Sequence, residues 1–143
     1  MLSLFRMMEE FSGNIIIDGV DISTIPRQEI RSRIICVSQD SFLLNATVRI
    51  NADPSENTTD AAIIETLQKV HLWDLIERKG GLDVELNYMF LSHGQKQIFC
   101  LARAMLRRSK ILVLDEAMSR YLHFLMLGIL LQPQYVAMIV LIS

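Results

Sequence analysis

The feature that most limits the fold of this chain is an aliphatic run, Ile111, Leu112, Val113 and Leu114, that ends on two acids, Asp115 and Glu116. Four consecutive aliphatic side chains leave no polar face, so the run reads as a strand buried on both sides in a parallel sheet. Upstream of it, Ser92 and Gln95 stand at capping-box spacing, and Ile98, Leu101, Ala102 and Met105 follow at helical intervals. A helix that feeds a doubly buried strand belongs to an α/β domain.

A second apolar run, Ile34, Ile35, Cys36 and Val37, ends at Ser38 and Gln39 and predicts another buried strand. Residues 51–60 read as a polar loop, and Thr58 to Asp60 supply the start of a helix with Ile63, Ile64, Leu67 and Val70 on one face. Leu72, Leu75 and Ile76 continue as a short second helix that Gly80 and Gly81 end. Nearer the N-terminus, Leu4, Met7, Met8 and Phe11 precede Gly13 at helical spacing and predict an amphipathic helix over 2–12. Strand, turn and strand follow through Ile17, Asp18-Gly19 and Val20, and Ile25-Pro26 opens a short segment running to Arg31. Gln39, Asp115 and Glu116 all stand just past apolar runs, at the sheet edge where open α/β domains bind ligands. On spacing alone they are either site residues or polar residues ending strands.

Composition removes several classes. With 51% apolar and 21% charged residues, the chain is neither disordered nor collagenous. A net charge of −2 leaves no electrostatic footprint for nucleic acid. The basic group Arg103, Arg107, Arg108 and Lys110 reads as a solvated helix end. Cys36 and Cys100 have neither CxxC spacing nor a histidine-rich neighbourhood, which argues against zinc and against a disulfide scaffold, so both are expected to be buried, reduced thiols. Arg6, Glu9 and Glu10 interrupt the N-terminal segment too often for a signal peptide.

Three stretches taken in order, Gln39 after ICVS, LSHGQ at residues 91–95 and ILVLDEA at residues 111–117, resemble the Q-loop, signature and Walker B strand of an ATP-binding cassette (ABC) nucleotide-binding domain. The segments GNIIIDGVDIS, IPRQEIRSR and HLWDLIERKGGLD are similar to the C subfamily, the multidrug-resistance-protein type of exporter. The resemblance implies an α/β P-loop NTPase domain over residues 1–120, cut short at both ends, with a helical signature subdomain over roughly 41–107. It implies ATP and Mg²⁺ as cofactors, and coupling of MgATP hydrolysis to transport. Asp115 and Gln39 would hold Mg²⁺, a hard cation suited to oxygen ligands. Glu116 would act as the catalytic base for the attacking water. Ser92, Gly94 and Gln95 would serve the ATP of an opposite domain in a head-to-tail pair, as an anion site at a helix start. The implied partners are that second domain and the membrane-spanning domains of a transporter, with this domain on the cytosolic face. His93 fills the variable position of the signature and is assigned no role.

A domain of this family also needs a GxxxxGK[ST] loop ahead of its first helix, and neither that loop nor a D-loop or switch histidine is found in the sequence. The chain by itself is therefore expected to bind nucleotide weakly or not at all and not to hydrolyse it. Two other readings stand beside the exporter: a catalytically inactive interaction module, and a non-functional fragment of a gene. Residues 121–143 hold no charged residue and form a hydrophobic tail. As a helix they would reach about 30 Å, the thickness of a bilayer core, although Gln132-Pro133-Gln134 divides them. Read-through sequence, a membrane anchor and replacement sheet elements are the three roles weighed, in that order.

Overall fold

A computed structural model describes residues 6–7, 13–37, 41–87, 91–107, 111–115 and 138–142. The chain enters through an antiparallel pair, β1 (Ile16–Ile17) and β2 (Val20–Asp21), joined by the Asp18-Gly19 turn. Both turn residues have positive φ, 51° and 77°, the type I′ requirement that Asp-Gly meets at low cost. A 3-10 turn over Ile22–Thr24, capped by the Asp21 carboxylate on the Ser23 N–H, leads to α1 (Arg27–Arg33). Pro26 precedes α1 and has no N–H to leave unsatisfied.

β3 (Ile34–Val37) and β4 (Ile111–Asp115) pair in parallel, with Ile34 opposite Ile111 and Val37 opposite Leu114. β5 (Met138–Ile142) pairs in parallel on the other side of β4, giving the order β3-β4-β5. Alternation along β3 divides the core as a two-fold side-chain period requires. Ile34 joins Ile22, Ile30 and Val113 in one cluster, and Ile35 joins the much larger helical cluster on the opposite face. Ile34 and Ile35 are thus both buried, on opposite faces of β3, as the run predicted for that strand.

Between β3 and β4 lie α2 (Val48–Ala52), α3 (Asp60–Lys69), α4 (Trp73–Lys79) and α5 (His93–Leu106). Thr47, Thr59 and Ser92 cap α2, α3 and α5 through their hydroxyls, and Gly80, at φ 123°, ends α4. The helices close over Val48, Ile63, Leu67, Ile76, Phe99 and Leu101, each at most 2% exposed. Two main-chain bonds, Val48 N to Val84 O at 2.9 Å and Leu86 N to Ala46 O at 2.9 Å, stitch the segment after α4 to the entry of α2. Arg49 adds surface ion pairs to Asp60 and Asp83, an arrangement that contributes little when solvated.

Four expectations change. The loop foreseen over 51–60 begins two residues later, because Asn51 and Ala52 are buried in the last turn of α2. Of the helix expected over 2–12, only Arg6 and Met7 are described. They form a turn with Arg6 at φ 49°, outside the helical region, and the Arg6 guanidinium bonds the Ile25 carbonyl at 2.6 Å. Cys36 and Cys100 form no disulfide, and both are half-buried rather than buried. In the hydrophobic tail, residues 138–142 form the strand β5, bonded into the sheet; residues 121–137 lie outside the described residues. Among the described residues, no helix is long and apolar enough to cross a membrane.

Candidate functional site

A helix start leaves four backbone N–H groups without an intrahelical acceptor. At α5 the capping box satisfies two of them. The Ser92 Oγ accepts the Gln95 N–H at 3.3 Å, and the Gln95 Oε1 accepts the Ser92 N–H at 2.9 Å. Among the described residues the amides of His93 and Gly94 have no acceptor, and Ser92, His93 and Gly94 are all exposed. Accepting one bond leaves the Ser92 hydroxyl its own proton to donate. No acidic residue occupies the first turn to compete for the positive end of the helix dipole. A Cβ built at Gly94 would meet nothing within 4 Å, so the chain itself leaves open space for an approaching group at this turn. These features fit an anion with several oxygens, such as a terminal phosphate. The structure therefore brings together Ser92, Gly94 and Gln95, three of the residues singled out in the sequence. His93 bonds sideways to Gln97, 3.3 Å between Nε2 atoms, and Gln97 is buried at 6% exposure.

The other expected site residues follow β3 and β4. Because the two strands run parallel and in register, their C-terminal ends lie at one edge of the sheet. Asp115 is the last residue of β4, with its main chain opposite Ile142 of β5. Gln39, two residues past β3, and Glu116, one past β4, lie outside the described residues. A carboxylate at this edge is the donor type that Mg²⁺ prefers. Among the described residues, no group of three or more His, Cys, Asp or Glu side chains gathers to hold a metal.

Sequence reasoning missed what holds α5 in place. Arg103, read as part of a solvated helix end, is half-buried and reaches across to the segment that leads into α2. Its Nε donates to the Asn51 carbonyl at 2.6 Å, its Nη1 to the Phe42 carbonyl at 3.1 Å and its Nη2 to Asn51 Oδ1 at 3.3 Å. Its guanidinium carbon also lies 5.9 Å from the centre of the Phe99 ring. Burial pulls the Arg103 pKa down, Cys100 opposes the shift and Arg107 adds to it. Burial likewise pushes the Cys100 thiol up, against the pull of Arg103 and of Ser41. Among the described residues, the buried Ser41 hydroxyl has no hydrogen-bond partner. Arg107 is exposed as expected, while Arg108 and Lys110 lie outside the described residues. Helical periodicity offers no sign of these bonds, since a long polar side chain at a helix flank reads the same whether solvated or clamped.

Comparison with known proteins closes the question of family. Residues 1–119 match the ABC transporter family. The chain is 56% identical over 117 residues to an ABC-type transporter of Gibberella zeae, a match covering 81% of the chain and 8% of the relative. It is 56% identical over 119 residues to ABC multidrug transporter B of Aspergillus fumigatus, covering 83% of the chain and 8% of the relative. ABC transporter ecdL of Aspergillus rugulosus is 46% identical over 117 residues, covering 82% and 8%. The chain thus spans about a twelfth of the length of these relatives. The family has a P-loop NTPase fold and binds ATP with Mg²⁺, in keeping with an anion-ready helix start and an acid at the end of a parallel strand. By the match over residues 1–119, this chain belongs to the ABC transporter family, as part of its ATP-binding domain.

Proposed function

We propose that the chain forms part of the ATP-driven engine of an exporter of the C-subfamily, multidrug-resistance-protein type, and that it serves ATP held by an opposite domain. The observation that carries this reading is the exposed start of α5, where an LSxGQ sequence leaves the His93 and Gly94 amides and the Ser92 hydroxyl proton free to donate. The subfamily assignment draws on the segments IPRQEIRSR and HLWDLIERKGGLD, and on a relative named as a multidrug transporter. In this reading Ser92 and Gly94 grip the γ-phosphate, while Gln95 keeps the turn closed through the capping box. Asp115 and Gln39 hold the metal ion, and Glu116 takes a proton from the attacking water. Bound Mg²⁺ would offset the negative charge that builds on the phosphoryl oxygens. The 143 residues contain no GxxxxGK[ST] sequence, so the loop cradling the phosphates comes from outside them. The transported class is amphipathic organic anions, and the partners are a second ATP-binding domain and membrane-spanning domains, with this domain on the cytosolic face.

The test is MgATP turnover by the chain alone, by a complete ABC domain whose own signature serine is replaced, and by the mixture. Turnover in the mixture well above either part supports service in trans. Gly94→Asp has room to fold and suits the helix dipole, yet places a carboxylate where the phosphate must sit. It is expected to remove the gain by about 100-fold, the scale of losing one preorganised donor at a developing anion. No gain with the parent chain would sink the proposal. A second reading, a non-hydrolysing partner that only completes another domain's site, is favoured by the same missing loop; turnover by the chain alone would exclude it.

A further inference from the structure

We infer that Arg103 is a positioning residue, and that its clamp on Asn51 and Phe42 sets where Ser92 and Gly94 stand relative to the segment that follows Gln39. The functional half of this inference rests on the reading just proposed; the geometric half does not.

Asn51 is fully buried and acts as the hub of the segment. Its Oδ1 accepts the Leu44 N–H at 2.7 Å, and its Nδ2 donates to the carbonyls of Leu44, Ala46 and Thr47 at 2.9, 3.1 and 3.0 Å. One side chain thereby folds residues 44–47 around itself, only a few positions past Gln39. Arg103 then binds this hub at two points, the carbonyl and Oδ1 of Asn51, and binds the Phe42 carbonyl as well. Among the described residues, all its hydrogen-bond acceptors are oxygens of this segment. The planar guanidinium holds several acceptors in fixed directions at once, which an ammonium cannot do.

The rest of the grip on α5 is of another kind. Phe99, Leu101 and Met105 pack into the helical core, and apolar contact is non-directional. Such packing resists separation more than it resists tilt. The Arg103 fork supplies the missing direction. At about 1.5 Å per residue, Ser92 lies about 16 Å along α5 from Arg103, so a tilt of about 10° there would carry Ser92 about 3 Å. Displacements of about 1 Å already cost about 100-fold in well-oriented sites. The clamp therefore governs the aim of the phosphate-binding turn from the far end of its own helix. It also ties that aim to the segment leading out of Gln39.

The experiment places spin labels at Asn45 and His93, both exposed, in the full chain with Cys36 and Cys100 replaced by alanine. The parent is expected to give one narrow distance. Arg103→Lys keeps the charge but loses the fork, and should shift or broaden that distance by about 3 Å, the tilt lever calculated above. Arg103→Met should do so at least as much; if it does not fold, the lysine variant decides alone. An unchanged distribution in folded Arg103→Lys overturns the inference. In the mixed turnover assay, Arg103→Lys is expected to lower kcat about tenfold or more with KM for ATP unchanged, since aim and not ground-state affinity is lost. A raised KM with kcat kept also overturns it. If the parent chain gives no gain in the mixture, the proposed function fails, and the labelled distance still decides whether Arg103 sets the aim.

Discussion

Two clusters of described residues meet along β3, and they differ in size. On one side, seventeen buried residues from Ile35 to Met105 form a continuous core around Phe99. On the other, the described residues gather four: Ile22, Ile30, Ile34 and Val113. Apolar stabilisation grows with the area removed from water. Among the described residues, the helical side therefore holds the larger share of buried apolar surface. The half of the candidate site on α5 is mounted on this larger cluster.

Substitutions can break this contrast. Phe99→Ala, in the centre of the larger core, should cost about 3–5 kcal/mol and abolish the main unfolding transition in urea. Ile30→Ala, at the edge of the smaller cluster, should cost about 2 kcal/mol, the low end for such a change. Equal losses at the two sites would show that the regions unfold as one body. Ser92→Ala removes the cap of α5 and should lower stability by about 1 kcal/mol, measured as a shift in the urea midpoint. The smallest effect is expected in acid. Burial works against the charged Asp53, but the Thr58 side chain and the N–H groups of Ser55, Thr58 and Asn57 outweigh it and hold the pKa below the ordinary carboxylate value. A depressed folded pKa means that this contribution is complete above the unfolded pKa and lost as pH falls through the folded one. Amide shifts of Ser55 and Thr58, followed from about pH 6 to about pH 2, should therefore report local opening while the helical core persists. Simultaneous loss of the core signals would show that this loop opens only together with the helical core.

Much of this was legible in the residues. The aliphatic runs at 34–37 and 111–114 gave their strands because no half-exposed element tolerates four such side chains in succession. Ser92 and Gln95 gave the start of α5 because a capping box is local chemistry, complete within four residues. The Asn51–Arg103 clamp was invisible for the opposite reason. It joins positions half a helix and two further helices apart, and neither residue type announces its partner. The short helix α2 was lost for a related reason, since five residues hold too few turns to show a period, and its asparagine looked like the start of a loop. Gln39 and Glu116 were legible as motif members, but they fall outside the described residues, as does the side chain of Asp115.

The strand β5 comes from sequence beyond the 119 residues that carry the family likeness, yet it hydrogen-bonds along the whole of β4 as far as Asp115. The main chain of the acid expected to meet a metal is consequently paired on the β5 side, opposite Ile142, while the β3 register stops one residue short of it at Leu114. Whatever geometry that carboxylate offers is inherited in part from residues under no family template. Drift in those five positions would be felt first at the metal's anchor point, long before it touched the helical body.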